Sequence, residues 1–112
     1  MKRPNIPAEI RSLPVQIVKF VNDSQPGWVA VEFKDAEGHL HTVIDKIPVF
    51  TTEDLWVDST YPQPCSMPCE ILGRCHDANG RDLSRMSIAS PLDNKSTDGL
   101  SEFVVLSRQL SD

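Results

Sequence analysis

The sequence predicts a mainly β domain, built as a small and partly closed antiparallel barrel. Residues 15–21, 28–34 and 39–47 alternate apolar and polar side chains with a period of two, and short turn signals separate them. A second hairpin follows over residues 69–76 and 81–88, and residues 102–106 form a closing strand. Gly73 lies inside one of these strands, which favours the sharp bend that a closed sheet requires.

The two hairpins share nearly the same turn. Residues 35–38 and residues 77–80 both read Asp-Ala-x-Gly. Each suits a type I turn in which the aspartate side chain caps the backbone and the glycine takes the left-handed conformation of a G1 bulge. We therefore predict positive φ at Gly38 and Gly80.

A long connection separates the two halves of the sheet. Pro48 ends the third strand pattern, and the next clear strand begins near Pro68. A threonine N-cap followed by acidic residues predicts one short helical turn over residues 52–57. Pro62 and Pro64 then require extended geometry. Long ordered connections often carry function.

The strand order along the chain resembles that of an OB-type barrel, which is our predicted fold. An SH3-like barrel is the alternative, because a period of two does not fix how the strands are ordered in space. The chain has 112 residues, which suits one hydrophobic core. We assign residues 1–12 to a loosely ordered N-terminal arm and residues 13–108 to a single barrel domain.

Charge is unevenly distributed along the chain. The net charge is −5, and seven of the 16 acidic residues fall within residues 32–58, against only Lys34 and Lys46. This acidic segment disfavours nucleic acid and favours a protein partner with a basic surface, although a solvated face is the simpler interpretation. No apolar run of 18 residues and no signal-peptide core follow the first residues, so we expect a cytoplasmic protein without a membrane segment.

Histidine and cysteine residues are the candidate metal ligands and catalytic groups of the chain. His39 and His41 lie two apart on one strand face, a spacing that could hold zinc, with further candidates in Cys65, Cys69, Cys75 and His76. However, the chain has no Cys-x-x-Cys pair. We predict free thiols with Cys69 and Cys75 buried and Cys65 exposed, no metal, no cofactor, no catalytic residue and no enzymatic activity.

Aromatic residues that the strands do not bury point to a binding surface. Phe20, Phe33 and Phe103 belong to strand cores, and the face assignment exposes Trp28. Tryptophan and tyrosine dominate the energetics of protein interfaces. The predicted partner-binding residues are Trp28, Glu53, Asp54, Trp56, Asp58 and Tyr61. Alternatively, Trp56 and Tyr61 fold back and close the end of the barrel.

Four short strings carry a resemblance to known proteins. Residues 23–29, 46–49, 52–55 and 61–64 look like those of a group of small bacterial proteins of unassigned function, and the resemblance extends over roughly residues 15–106. It implies a single-domain bacterial protein and brings no activity. Some small acidic bacterial domains are immunity or antitoxin proteins, so we expect a protein-binding domain of that kind. The alternative is an OB-like binder of a ligand or of single-stranded nucleic acid, and the oligomeric state stays open.

Overall fold

The fold is mainly β, as predicted. The computed structural model describes residues 8–53 and 55–111. Its elements are β1 (Ile10–Asn22), β2 (Trp28–Lys34), β3 (Leu40–Lys46), the short helix α1 (Ile47–Phe50), β4 (Gln63–His76), β5 (Asp82–Ser87), β6 (Glu102–Leu106) and a 3₁₀ turn (Ser107–Gln109).

One antiparallel sheet contains all six strands in the order β3-β2-β1-β4-β5-β6. It curls into a half-barrel, which confirms the predicted partly closed antiparallel barrel. Its concave face carries the core, where every second side chain of the central strand β1 is buried, in the series Leu13, Val15 and Ile17. Buried side chains from the other strands and from α1 complete this core, among them Val29, Val31, Val43, Phe50, Met67, Cys69, Met86 and Val105.

Both hairpin turns have the predicted geometry. Gly38 and Gly80 have φ values of 84° and 78°. In each turn the glycine N–H donates to the carbonyl oxygen of the aspartate, Asp35 or Asp77, at 3.0 Å. Each aspartate carboxylate also accepts two backbone N–H groups of its own turn at 2.9 to 3.0 Å. The shared tetrapeptide therefore predicted both turns correctly.

The strand β4 begins earlier than the sequence suggested and contains two prolines. We expected a strand from near Pro68, but β4 begins at Gln63 and includes Pro64. Ile71 donates its N–H to Glu9 at the β1 side of β4, so by alternation Pro64 and Pro68 face the other side. Among the described strands, β4 has no neighbour on that side before Glu70. Proline fits there because the backbone N–H that it lacks would have had no strand to donate to.

The first strand extends into the predicted arm. Ile10, Arg11 and Ser12 pair with β4, so residues 10–12 belong to the sheet and not to a loose arm. Residues 1–7 of that arm lie outside the described residues. Ser12 and Ser111 also exchange two backbone hydrogen bonds, of 2.9 and 2.8 Å, so the sheet contacts extend past residue 108. These bonds join segments that are distant along the chain, so the local sequence pattern does not reveal them.

The helical turn lies earlier in the connection than we predicted. It spans Ile47–Phe50, and none of the described residues of 52–57 is helical. Pro48 falls in its first turn, where a missing N–H costs no hydrogen bond, and Thr51 donates its N–H to Ile47. Thr51 does accept the N–H of Glu53 at 3.1 Å, as a cap would, but only a bend follows.

Cysteine burial was predicted correctly at Cys69 alone. Cys69 is buried, Cys65 is half-buried and Cys75 is exposed, and all three are free thiols. For Cys75 the reason is a register shift between Ile71 and Gly73, which adds one residue to β4. An added residue turns the following side chains to the opposite face, so Cys75 leaves the concave side. Burial raises the pKa of both Cys65 and Cys69 to about 11.

Two glycine substitutions should separate backbone strain from close packing. Gly38→Ala places a Cβ in open space at a φ of 84°, whereas Gly27→Ala, at a φ of 96°, places one 2.8 Å from the Cδ1 of buried Ile47. We expect Gly38→Ala to cost ~1 kcal/mol and Gly27→Ala to cost at least ~1 kcal/mol more, since overpacking adds to the strain. Urea unfolding at equilibrium measures both. Equal losses would show that the contact with Ile47 relaxes freely.

Thiol labelling should distinguish Cys75 from the other two cysteines. With a pKa of about 11, Cys65 and Cys69 are thiolate in only about one molecule in a thousand at pH 8. Ellman's reagent should therefore react quickly with one thiol, and Cys75→Ser should remove that phase. Slow labelling of Cys65 should accelerate as the pH rises toward 11. Two fast thiols at pH 8 would contradict this expectation.

Candidate functional site

Trp56 projects into solvent from the segment that joins α1 to β4. The residue is 64% exposed and its neighbour Val57 is 75% exposed, whereas Leu55 is buried. The interpretation in which Trp56 closes the barrel end is therefore wrong. Tyr61 does fold inward, because it is partly buried and packs against the core.

Hydrogen bonds fix the backbone from which Trp56 projects. Its N–H donates to Oγ of Ser59 at 2.9 Å, and its carbonyl oxygen accepts the Tyr61 hydroxyl at 2.6 Å. The same carbonyl accepts the N–H of Ser59 at 3.1 Å. Both backbone polar groups of Trp56 are thus satisfied inside the loop. The loop holds an apolar ring in water by contacts that do not involve the ring itself.

An open groove lies beside Trp56. We call it the Trp56 groove, and it encloses about 1110 Å³ between the end of β1, the turn that leads to β2, and the connecting segment. Its lining residues are Phe20, Val21, Asn22, Asp23, Gln25, Trp56, Val57 and Asp58. A second groove adjoins it, shares four of these residues and adds Glu53. This size suits a peptide segment better than a single small group.

Acidic side chains line both grooves. Asp23, Glu53 and Asp58 are exposed, and no ion pair within residues 8–53 and 55–111 involves any of them. Elsewhere arginines neutralise carboxylates, as Arg85 does for Glu102 at 3.0 Å. Asp54, another predicted binding residue, lies outside the described residues. The grooves thus combine an apolar wall with carboxylates that form no ion pair within the part of the chain that the structure describes.

Trp28 does not line either groove, although its register partner Asn22 lines the Trp56 groove. It is half-buried, and its register partners are the exposed residues Asn22 and Lys46, with which it shares the convex face of the sheet. The ammonium of Lys46 lies 5.6 Å from the centroid of the indole. Trp28 lines neither groove beside Trp56. The structure therefore brings together Glu53, Trp56 and Asp58, with Tyr61 beneath them, whereas Trp28 is not a lining residue.

Sequence reasoning missed the wall contributed by β1 and its turn. Phe20 packs against the core as predicted but also lines both grooves, and Asp23 was not among the predicted binding residues. Register shifts between Ile17 and Lys19 and between Phe20 and Asn22 change which face each side chain takes, and an alternating pattern cannot reveal them. The sequence feature that marks this wall is Gly27, in the turn after β1. Its carbonyl oxygen accepts the N–H of Ile47 at 3.0 Å and ties this turn to the connecting segment.

His39 and His41, considered as zinc ligands, both lie near the carboxylate of Asp35, and Nδ1 of His39 is 3.6 Å from Oδ2 of Asp35. The ring of His41 lies against Phe33 and Phe103, and its Nε2 is 2.8 Å from Oδ2 of Asp35. Within the described residues, no group of three or more histidine, cysteine, aspartate or glutamate side chains could hold a metal ion. In the same part of the chain, every helix is too short or too polar to span a membrane.

Comparison of the chain with protein-family models, curated proteins and solved structures found no match. Fold and site together define a curled antiparallel β domain with an acidic, aromatic groove at one end. Its function is therefore inferred from this groove.

The Tyr61 hydroxyl should control how firmly Trp56 is held. Tyr61→Phe removes the donor to the Trp56 carbonyl and should cost about 0.5–1.5 kcal/mol of stability. In a Trp28→Phe background, where Trp56 is the remaining tryptophan, time-resolved fluorescence anisotropy should report faster local rotation of the indole. The matched control is Trp28→Phe alone. Unchanged anisotropy would mean that Ser59 fixes the loop without help from Tyr61.

Proposed function

We propose that this chain is a small acidic protein-binding domain that holds a basic partner protein in the Trp56 groove. The observation that carries the proposal is the exposed Trp56 ring on a loop whose backbone is already hydrogen-bonded. Tryptophan is among the residues most often found at binding hot spots. Because the loop is ordered before binding, association loses little additional conformational entropy.

Apolar surface supports the same proposal. Trp56, Val57 and Val21 are exposed along one groove, and Phe20 lies between them and the core. A contiguous apolar patch on a small domain favours association and lowers solubility unless a partner covers it. Covering the ring of Trp56 and the side chain of Val57 would remove this surface from water, which is the main source of affinity at such contacts.

Charge supports a basic partner over other kinds. The net charge is −5, and Asp23, Glu53 and Asp58 face solvent without ion-pair partners in the described residues. Complementary charges accelerate association and select against wrong partners. The same carboxylates repel phosphate groups, so single-stranded nucleic acid, which needs a basic groove, is the weaker candidate.

The biological role that we propose is that of a cytoplasmic bacterial protein of the immunity or antitoxin type. Its support is the acidic balance of the chain, and the bacterial origin carries forward the expectation drawn from residues 23–64. An acidic inhibitor domain can neutralise a basic protein by covering its charged surface.

Replacing Trp56 should remove the partner and leave the fold intact. Pull-down from a bacterial lysate should recover a basic protein with the wild type and lose it with Trp56→Ala, and the affinity should fall at least ~30-fold, or ~2 kcal/mol. Since the ring is exposed, its removal should change stability by less than ~0.5 kcal/mol. Binding should also weaken as salt is raised.

Leu40→Ala is the matched control, because Leu40 is 55% exposed on β3 and lines neither groove. It should retain the partner. Identical partner lists from wild type and Trp56→Ala would refute the proposed site. Tight, salt-sensitive binding to single-stranded DNA would favour the rival function.

A further inference from the structure

The Trp56 groove has carboxylates on two walls that come from different parts of the chain. Asp23 belongs to the turn after β1, while Asp58 follows Trp56 in the connecting segment. Both side chains are exposed and line the same groove as the indole. A cation that enters this groove therefore approaches an aromatic ring and two carboxylates that have no ion-pair partner among residues 8–53 and 55–111.

An arginine side chain matches this arrangement better than a lysine. A guanidinium is planar, so it can lie flat on the ring of Trp56 while its edge donates hydrogen bonds to carboxylates. Two parallel hydrogen bonds to one carboxylate are available to arginine only. An ammonium is a strongly hydrated point charge and loses more solvation against an apolar wall. The apolar neighbours Val21 and Val57 suit aliphatic side chains beside such an arginine.

We propose that the partner is recognised through an arginine side chain, with its guanidinium on the Trp56 ring and between Asp23 and Asp58. This inference rests on the proposed function and specifies the chemistry of the same groove. It requires a partner segment in which aliphatic residues flank the arginine.

Three synthetic peptides test the inference directly. They share the sequence acetyl-Gly-Val-X-Val-Gly-amide, where X is arginine, lysine or citrulline, the neutral analogue of arginine. Titration into ¹⁵N-labelled full-length protein, followed by NMR, should shift the indole N–H of Trp56 with the arginine peptide. The affinity for that peptide should exceed that for the other two by about tenfold, which corresponds to a single charge-assisted contact.

Matched variants show whether the carboxylates act locally. Asp58→Asn should weaken the arginine peptide about tenfold and the citrulline peptide much less, since citrulline donates N–H groups but carries no charge. Asp98→Asn removes the same charge from an exposed position that lines neither groove, and it should have no effect.

Equal affinities for arginine and lysine would overturn the inference and leave only general electrostatic attraction. So would an arginine peptide that does not shift the Trp56 indole. Neither result removes the proposed function if the captured partner protein still depends on Trp56. Conversely, a captured partner that binds Trp56→Ala normally would refute the proposed function itself.

Discussion

Ala36 donates its backbone N–H to the carbonyl oxygen of Val104 at 2.8 Å, and this hydrogen bond joins the β2–β3 turn to β6. Thr97 and Gln109 donate two further hydrogen bonds, of 2.9 Å each, to backbone oxygens of β3 and β2. Beneath them Phe33 and Phe103 meet edge to face with ring centroids 5.1 Å apart. The two edges of the half-barrel are joined at this end by a few contacts between β2, β3 and their turn on one side and β6 and its flanking segments on the other, and no ladder joins β3 to β6 among the described strands.

This closure depends on the repeated turn sequence. Arg81, at the end of the second turn, donates to Oδ2 of Asp77 in its own turn and to the carbonyl oxygen of Ala36 in the first turn, at 2.5 and 3.0 Å. The two Asp-Ala-x-Gly turns thus lie together at one end of the molecule. β2 has seven residues, so its opposite end lies about 20 Å away, and there the Trp56 groove opens. Closing one end and leaving the other open explains where a partner can bind.

Features that depend on neighbouring residues alone were predictable. The bounds of β2 and the geometry at Gly38 and Gly80 follow from alternation and turn chemistry within a few residues. Cys75 was misplaced because the added residue in β4 changes the face of every side chain after it. The strand character of Pro64 depends on which side of β4 lacks a neighbour, and that is a property of the assembled sheet.

Within the site, Trp56 and Asp58 were predictable from composition, but Asp23 was not, since a register shift and a distant contact place it.

One segment both covers the core and displays the binding surface. From the last residue of α1 to the start of β4, Phe50 and Leu55 are buried and Tyr61 packs on the core, whereas Trp56 and Val57 face water. Inward side chains determine where the segment lies, and the hydrogen bonds from Ser59 and Tyr61 determine how Trp56 leaves it. Stability and recognition are therefore assigned to different side chains of the same segment. A partner can cover Trp56 without disturbing the core, because the contacts that position the ring lie on the backbone side of the loop.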